Sequence, residues 1–354
     1  MRPLSPCLAF SIALALPLTA AHPAAAYVLS VTSGCNPFHW AQTCVIVTAD
    51  SVGVPDMPLA DVERVAGEAV QGWSSDGNGT SFLRMTYLAA ASPRETVVDG
   101  WQVIKFRAGR WCRPADASDP EICYDPGSAA LTTVSYVSDH KNPKNDGRIL
   151  DADIELNAVN NYFYDAGPLS DAGTTRPPPS DPGTRKPLDL WDTLSHELGH
   201  LQGLDHTCTG WPGTDLPSCS RDGTGQPVVT CAAVEKDHTT DPLLGAIYAT
   251  TMYPSAKAND IVKRTPKPDD MAGIAALYPI GMDPNLCGPA GTNGASVPSA
   301  SAAPPTAASQ RTSAARAGGC TTASGPSAPG DNGAWVSLAL LGTLAIVRQR
   351  RARD

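Results

Sequence analysis

The segment HELGHLQGLDH, residues 196–206, constrains this chain more than any other stretch. On an α-helix, residues four apart stand one turn apart on one face, so His196 and His200 present two imidazoles to a single point. Glu197 sits beside that face, placed to act on whatever binds there without joining the ligand set. Gly203 ends the helix by taking a positive φ at no steric cost, and the chain then turns back so that His206 supplies a third nitrogen. Three protein ligands with an open fourth position is the pattern of a catalytic zinc site, whereas a structural site fills all four places. The residues predict one Zn²⁺ held by His196, His200 and His206, with Glu197 as the catalytic base.

The chain around this helix mixes strand and helix signals. CVIVTAD at 44–50 predicts a β-branched strand, and PLADVERVAGEAVQGWSSDG predicts a helix capped at or near Asp61, with Val62, Val65, Ala66, Ala69 and Val70 on its apolar face. SFLRMTYL is a strand candidate, and TVVDGWQVIKF predicts a hairpin or strand pair about Asp99 and Gly100. LTTVSYVS and GRILDADIELN supply two further strands, the second only partly alternating. Prolines and glycines from Ala166 to Pro187 predict a loop, and LDLWDTLSHELGHLQG is the helix that carries the motif. Interleaved strands and helices predict one α/β or α+β domain over 27–287.

The two ends differ from this middle. Residues 1–26 have an Arg, an apolar run and small residues around Ala24 and Ala26, the layout of a secretory signal peptide. Residues 288–330 are too poor in apolar side chains to offset the entropy of ordering and predict a disordered tether containing Cys320. In 331–354 an apolar run, Ala334 to Val347, precedes Arg348, Arg350, Arg351 and Arg353; it is short for a span, which needs about 20 residues. Gly-Gly-Cys, a short apolar run and terminal arginines together resemble the C-terminal sorting signal of myxobacterial surface proteins. That resemblance implies removal of the tail, lipidation at Cys320 by a sorting machinery, and a protein secreted or held at the outer cell surface.

Both ends are net positive, so the middle is more acidic than the whole chain, whose net charge is -9. This charge, with no basic run among aromatics before the extreme C-terminus, argues against a nucleic-acid partner. Eight of the 10 cysteines fall in the middle, an even number that outside the cell predicts disulfides. Short separations suggest Cys35 with Cys44 and Cys112 with Cys123. Cys208, Cys219, Cys231 and Cys287 are left open among three pairings.

His196, Glu197, His200, Gly203 and His206 together resemble the signature of the metzincin zinc metallopeptidases, and the chain is most similar to their matrixin-like branch. ATTMYPSA adds Met252, followed by Tyr253 and Pro254, in the place of that family's methionine turn. PLADVERVAGEAVQGWS looks like the family's first helix, DGRILDADIELN like the strand above the cleft, and PDDMAGIAALYP like the closing helix. The resemblance implies a twisted, mostly parallel five-stranded sheet with an antiparallel edge strand, three helices, and a cleft across the sheet edge with zinc at its floor. It implies a zinc endopeptidase in which zinc-bound water, deprotonated by Glu197, attacks a peptide bond, and a substrate pocket near Tyr253 and Pro254 reaching towards Lys257.

Some features depart from that family. No cysteine-bearing switch segment precedes the domain, and His39, His140 and His238 are too scattered to predict a second zinc. Asp146, Asp151, Asp153 and Glu155 offer a weak case for Ca²⁺; alternation along the strand is expected to split them between faces and leave a solvated edge. The stretch from Cys208 to Cys231 is long and sits where it would shape one side of the cleft. Protein or peptide substrates are the partners expected, with no obligate protein partner. The rival function is a surface binding or adhesion protein with a vestigial zinc site; a serine hydrolase is disfavoured because no G-x-S-x-G occurs.

Overall fold

Along the chain run β1 (Val28–Leu29), β2 (Cys44–Ala49), α1 (Leu59–Trp73), β3 (Arg84–Tyr87), β4 (Gln102–Arg107), β5 (Cys112–Arg113), β6 (Ile122–Cys123), β7 (Ala130–Tyr136) and β8 (Ile149–Asn157). After these come β9 (Asn161–Tyr164), β10 (Lys186–Asp189), α2 (Leu190–Leu201), β11 (Leu204–Asp205), α3 (Cys231–Asp237), α4 (Pro242–Tyr248), α5 (Pro268–Leu277) and a 3₁₀ turn at Ile280–Met282. The computed structural model describes residues 26–285 apart from 75–78, 90–91, 117–119 and 168–184. The expected leader up to residue 25, Cys287, the tether with Cys320, the C-terminal apolar run and most of the 166–187 loop lie outside the described residues. No helix among those described is long and apolar enough to cross a membrane.

Five strands form one sheet in the order β3-β2-β4-β8-β7. The pairings β2 with β3, β2 with β4 and β4 with β8 are parallel, and β7 joins β8 antiparallel at the edge. The expected sheet is therefore present. The helix count is not: five α-helices occur among the described residues where three were expected. The additional α3 and α4 are seven residues each, too short for an apolar period to stand out, and both follow the 208–231 stretch.

The inner face of the sheet carries Val45, Val47, Ile104, Ile154 and Leu156, against which α1 and α2 pack. The apolar face expected for α1 is buried as Val62, Val65, Ala66, Ala69 and Val70, with Trp73 added at its end. Its N-cap is Pro58, with no side-chain cap; Asp61 instead stands in the first turn, where a carboxylate favours the positive end of the helix dipole. On α2, Leu190, Leu194, Leu198 and Leu201 are all fully buried, each contributing about 1.5–3 kcal/mol of apolar transfer. That burial fixes the rotation of α2 and with it the direction in which the histidines point.

Four further sequence expectations change. No hairpin forms about Asp99 and Gly100: only β4 is a strand, because the Asp99 and Gly100 amides donate to Asp151 Oδ2 at 3.2 and 2.9 Å instead of to a strand partner. The end of the proline-rich loop is a strand, since β10 pairs in parallel with β9; a two-stranded ribbon tolerates Pro187 because it leaves one side of each strand unpaired. The acidic cluster is not a solvated edge. Asp151, Asp153 and Glu155 share one parity and so one face of β8, and with Asp146 all four are buried. Glu155 is neutralised there by Arg107 and Arg113, which approach within 2.6 and 2.5 Å, and it accepts from Tyr124 Oη at 2.7 Å.

The fourth change concerns the cysteines. Cys35 bonds to Cys219, not to Cys44, because the turn that holds it lies along the 204–222 segment: β1 pairs with β11, and Val28 bridges Asp222. Cys44 is also disulfide-bonded. Cys112–Cys123 forms as expected and staples β5 to β6. Cys208–Cys231 closes the long stretch after the histidine motif.

Candidate metal centre

Helix α2 begins at a well-made cap. Asp189 accepts from the Asp192 amide at 2.9 Å, while Arg264 grips both its oxygens at 2.8 and 2.6 Å. The helix ends at Leu201, and Gly203 takes φ +102°, the bend read from the sequence. A Cβ at Gly203 would stand 2.5 Å from the Phe38 carbonyl oxygen, so both the dihedral and the space require glycine. Leu204 and Asp205 then pair with β1, and this short ribbon holds the returning chain beside the helix that it has just left.

That path brings His196, His200 and His206 together. Their three Nε2 atoms form an equilateral triangle 3.2 Å on a side. The His200 ring is nearly perpendicular to the other two, at 83° and 86°, so the nitrogens converge without ring clashes. His196 Nδ1 is 2.6 Å from the Thr251 carbonyl and His200 Nδ1 is 2.9 Å from the Leu204 carbonyl. A carbonyl accepts only, so both Nδ1 atoms carry the proton. Two Nε2 lone pairs therefore face each other at 3.2 Å, an arrangement that needs a Lewis acid between them. A proton is a poor substitute: burial first, then the charge of Lys263 and the two neighbouring imidazoles, holds His196 well below the ordinary histidine range.

The donor set fits zinc. Tetrahedral coordination with Zn–N bonds of about 2.0–2.1 Å needs neighbouring nitrogens about 3.3 Å apart, close to the spacing seen. Among the described residues the other grouping of metal-binding atoms is Cys112, Glu121 and Cys123, whose sulfurs are already bonded to each other. Asp146, Asp151, Asp153 and Glu155 form no such group, so the calcium expectation gains no support.

Glu197 is fully buried beside the triad, and its Oε2 accepts from Thr132 Oγ1 of β7 at 2.8 Å. Met252 packs under α2: a Cβ at Gly199 would lie 2.2 Å from its sulfur. Tyr253 is fully buried with its ring against Trp211 and Tyr248 and its hydroxyl 3.1 Å from Glu235 Oε2; Pro254 is buried next to it. The sequence-predicted residues thus fall in two neighbouring places. The three histidines meet at one point with Glu197 of the same helix beside them, and Met252, Tyr253 and Pro254 form the turn packed against that helix.

Sequence reasoning missed the residues that hold this turn. Asp270 of α5 accepts from the Thr251 amide at 3.1 Å, the Met252 amide at 3.4 Å and the Lys267 amide at 2.7 Å. It thereby fixes the segment whose Thr251 carbonyl orients His196, a supporting contact of the kind that tunes metal affinity. Lys263, almost fully buried, donates through Nζ to the carbonyls of Tyr253, at 2.5 Å, and Ser255. Asp205 accepts from the His206 amide at 2.9 Å and from Ser30 Oγ at 3.1 Å. The acidic pair in PDDMAGIAALYP signals a helix start, but nothing in the letters says that Asp270 reaches back to a turn eighteen residues earlier.

No protein-family model matches this chain, and no curated protein matches it in sequence. The site stands on its own geometry: a three-histidine cluster with an adjacent glutamate, which resembles a metzincin-type zinc site, on a mixed α/β fold.

Proposed function

We propose that the chain is a zinc-dependent endopeptidase of the matrixin-like branch, with His196, His200 and His206 as ligands and Glu197 as general base. The observation that carries this reading is the convergence of three buried Nε2 atoms, two of them lone pairs by the bonds at their Nδ1 atoms, beside a glutamate tied to the sheet edge. When bound, zinc supplies Lewis acidity that lowers the pKa of water towards neutral and polarises a carbonyl.

The chain's own residues do the rest. Glu197 takes a proton from the attacking water and delivers it to the departing amine, so that the amine leaves neutral. Strand β7 is the outer strand of the sheet and touches Glu197 through Thr132, so an extended peptide laid along it brings its backbone to the triad. The 253–257 segment beyond Met252 bounds the pocket for the side chain after the scissile bond, braced by Lys263.

The placement of the enzyme is part of the same proposal. Residues 1–26 direct export, 27–287 form the peptidase domain, 288–330 tether it, and the 331–354 tail is a sorting signal with Cys320 as the lipid acceptor. Its disulfides agree with an oxidising compartment. Intact mass and metal content of the protein recovered from its host test both terminal cleavages, lipidation and zinc stoichiometry together.

Activity is tested with zinc-loaded protein and an unstructured protein substrate. Chelator-sensitive cleavage that disappears in Glu197→Gln at unchanged zinc content, and zinc loss in His200→Ala, are the expected results. Full zinc occupancy without cleavage of a broad peptide library refutes the peptidase and leaves a binding protein with a vestigial site.

A further inference from the structure

Thr132 is the point at which the sheet touches the proposed base. It lies on β7 opposite Ile154 of β8, and its side chain is buried against α2. Its Oγ1 stands 2.8 Å from Glu197 Oε2 and 3.1 Å from the Glu197 carbonyl oxygen. A hydroxyl has a single proton to give. The carbonyl lies inside the helix, where it accepts from the amide four residues on, whereas the carboxylate is the stronger acceptor and the nearer one. The proton therefore goes to Oε2. Threonine is stiff about χ1, so the place of the donor oxygen is set by the strand backbone and not by a mobile side chain, and the hydroxyl proton turns to the better acceptor.

We propose that Thr132 is a positioning residue: it anchors Oε2 to the sheet edge, fixes the rotamer in which the carboxylate stands beside the histidine triad, and assigns proton transfer to Oε1. This rests on the peptidase reading for its purpose, but the anchoring itself is a property of the loaded centre and is measurable without turnover. A glutamate has three rotatable bonds, and a base that must receive and return a proton within hydrogen-bond reach loses rate when it samples other rotamers. Strand β7 thus both offers its edge to the substrate and holds the base against which that substrate reacts.

The test uses the full-length zinc-loaded chain, Thr132→Val, which keeps the shape and removes the proton, and Thr132→Ser, which keeps the proton. Zinc content is measured first. Binding of acetohydroxamate, which chelates a metal and shares a proton with a neighbouring carboxylate, is then measured by calorimetry, alongside kcat and KM on a peptide. At wild-type zinc content, Thr132→Val is expected to bind acetohydroxamate about tenfold more weakly and to lose about tenfold in kcat with KM unchanged, as for loss of a supporting hydrogen bond at a metal centre. Thr132→Ser is expected to recover both. Wild-type binding and kcat in Thr132→Val overturn the inference. So does loss of zinc or of fold, because the hydroxyl would then serve the packing of α2 on the sheet. A wild-type chain that binds acetohydroxamate but cleaves no peptide refutes the peptidase, while the binding comparison still decides the role of Thr132.

Discussion

Replacing Gly199 with alanine sets two effects of opposite sign against each other at the heart of the candidate metal centre. Gly199 lies on α2 between His196 and His200, and in an unencumbered helix Gly→Ala stabilises by about 1 kcal/mol. Here the added Cβ would stand 2.2 Å from Met252 Sδ, 3.1 Å from Met252 Cε and 3.2 Å from Trp73 Cη2. Ordinary contact between such atoms is about 3.5–4.0 Å, so the sulfur must move by about 1.5 Å. Neither neighbour yields freely. Trp73 is buried, with its indole nitrogen donating to the Ser195 carbonyl at 2.8 Å, and the Met252 backbone is held by Asp270 on one side and by the Thr207 amide, at 3.3 Å, on the other.

Overpacking costs about 1–3 kcal/mol and occasionally more, and so short an approach belongs in the upper part of that range, about 2–3 kcal/mol, which outweighs the helix gain of about 1 kcal/mol and leaves a net loss of about 1–2 kcal/mol. At about 2–4 °C per kcal/mol for a domain of this size, the melting temperature falls by about 2–8 °C. Pushing Met252 also moves Thr251, whose carbonyl orients His196, so zinc affinity drops by about 10-fold or more. Thermal denaturation and chelator competition measure the two effects. Gly67→Ala on α1 is the control: its Cβ would meet Tyr87 at an ordinary 3.6 Å, so the helix gain appears there alone. A Gly199→Ala protein as stable as the wild type, with the same zinc affinity, refutes the argument that the methionine turn braces the helix.

Other expectations follow from the same coordinates. Asp151 and Asp153 are buried side by side and hydrogen-bonded to each other; burial, above all, pushes Asp151 up to about 7 and Asp153 well above the usual carboxylate range. The native state keeps a proton that the unfolded chain releases near pH 4, so stability falls as pH rises towards about 7 and that contribution is gone above it. The drop in urea midpoint between pH 5 and pH 8 is therefore expected to be smaller in Asp153→Asn, and an equal drop refutes the shared proton. Serine at both Cys208 and Cys231 removes a cross-link spanning 23 residues, worth about 3 kcal/mol, and loosens the chain after His206; lower melting temperature and weaker zinc retention are expected, read by calorimetry and dialysis against chelator. Lys263→Met leaves the Tyr253 and Ser255 carbonyls without the ammonium they share, at about 1–3 kcal/mol for a buried group, so peptide KM rises severalfold at constant zinc content; an unchanged KM removes Lys263 from the pocket wall.

The local letters of this chain determined a good deal. The i, i+4 spacing of His196 and His200 needs only the helical repeat, and the bend at Gly203 needs only a residue that tolerates φ +102°. The apolar face of α1 and the strands at 44–49, 130–136 and 149–157 follow from periodicities that act over a few residues. These are short-range effects, and a sequence states them directly.

What only the tertiary structure decided depends on which segments become neighbours. Cys35 meets Cys219 because the β1–β11 ribbon brings residues 184 apart in sequence together, which no count of cysteines reveals. Asp151, Asp153 and Glu155 are buried because the chain at Asp99 and Gly100, Arg113 of β5 and Tyr124 after β6 come over their face of β8, while Arg107 reaches Glu155 from the neighbouring strand β4. Asp270, Lys263 and Thr132 look ordinary in the sequence, and each acquires its role from a partner on another element. Ligand identity is thus written locally, because it rests on donor chemistry and helical pitch. Ligand orientation is not, because the hydrogen bonds that set it are made across the fold.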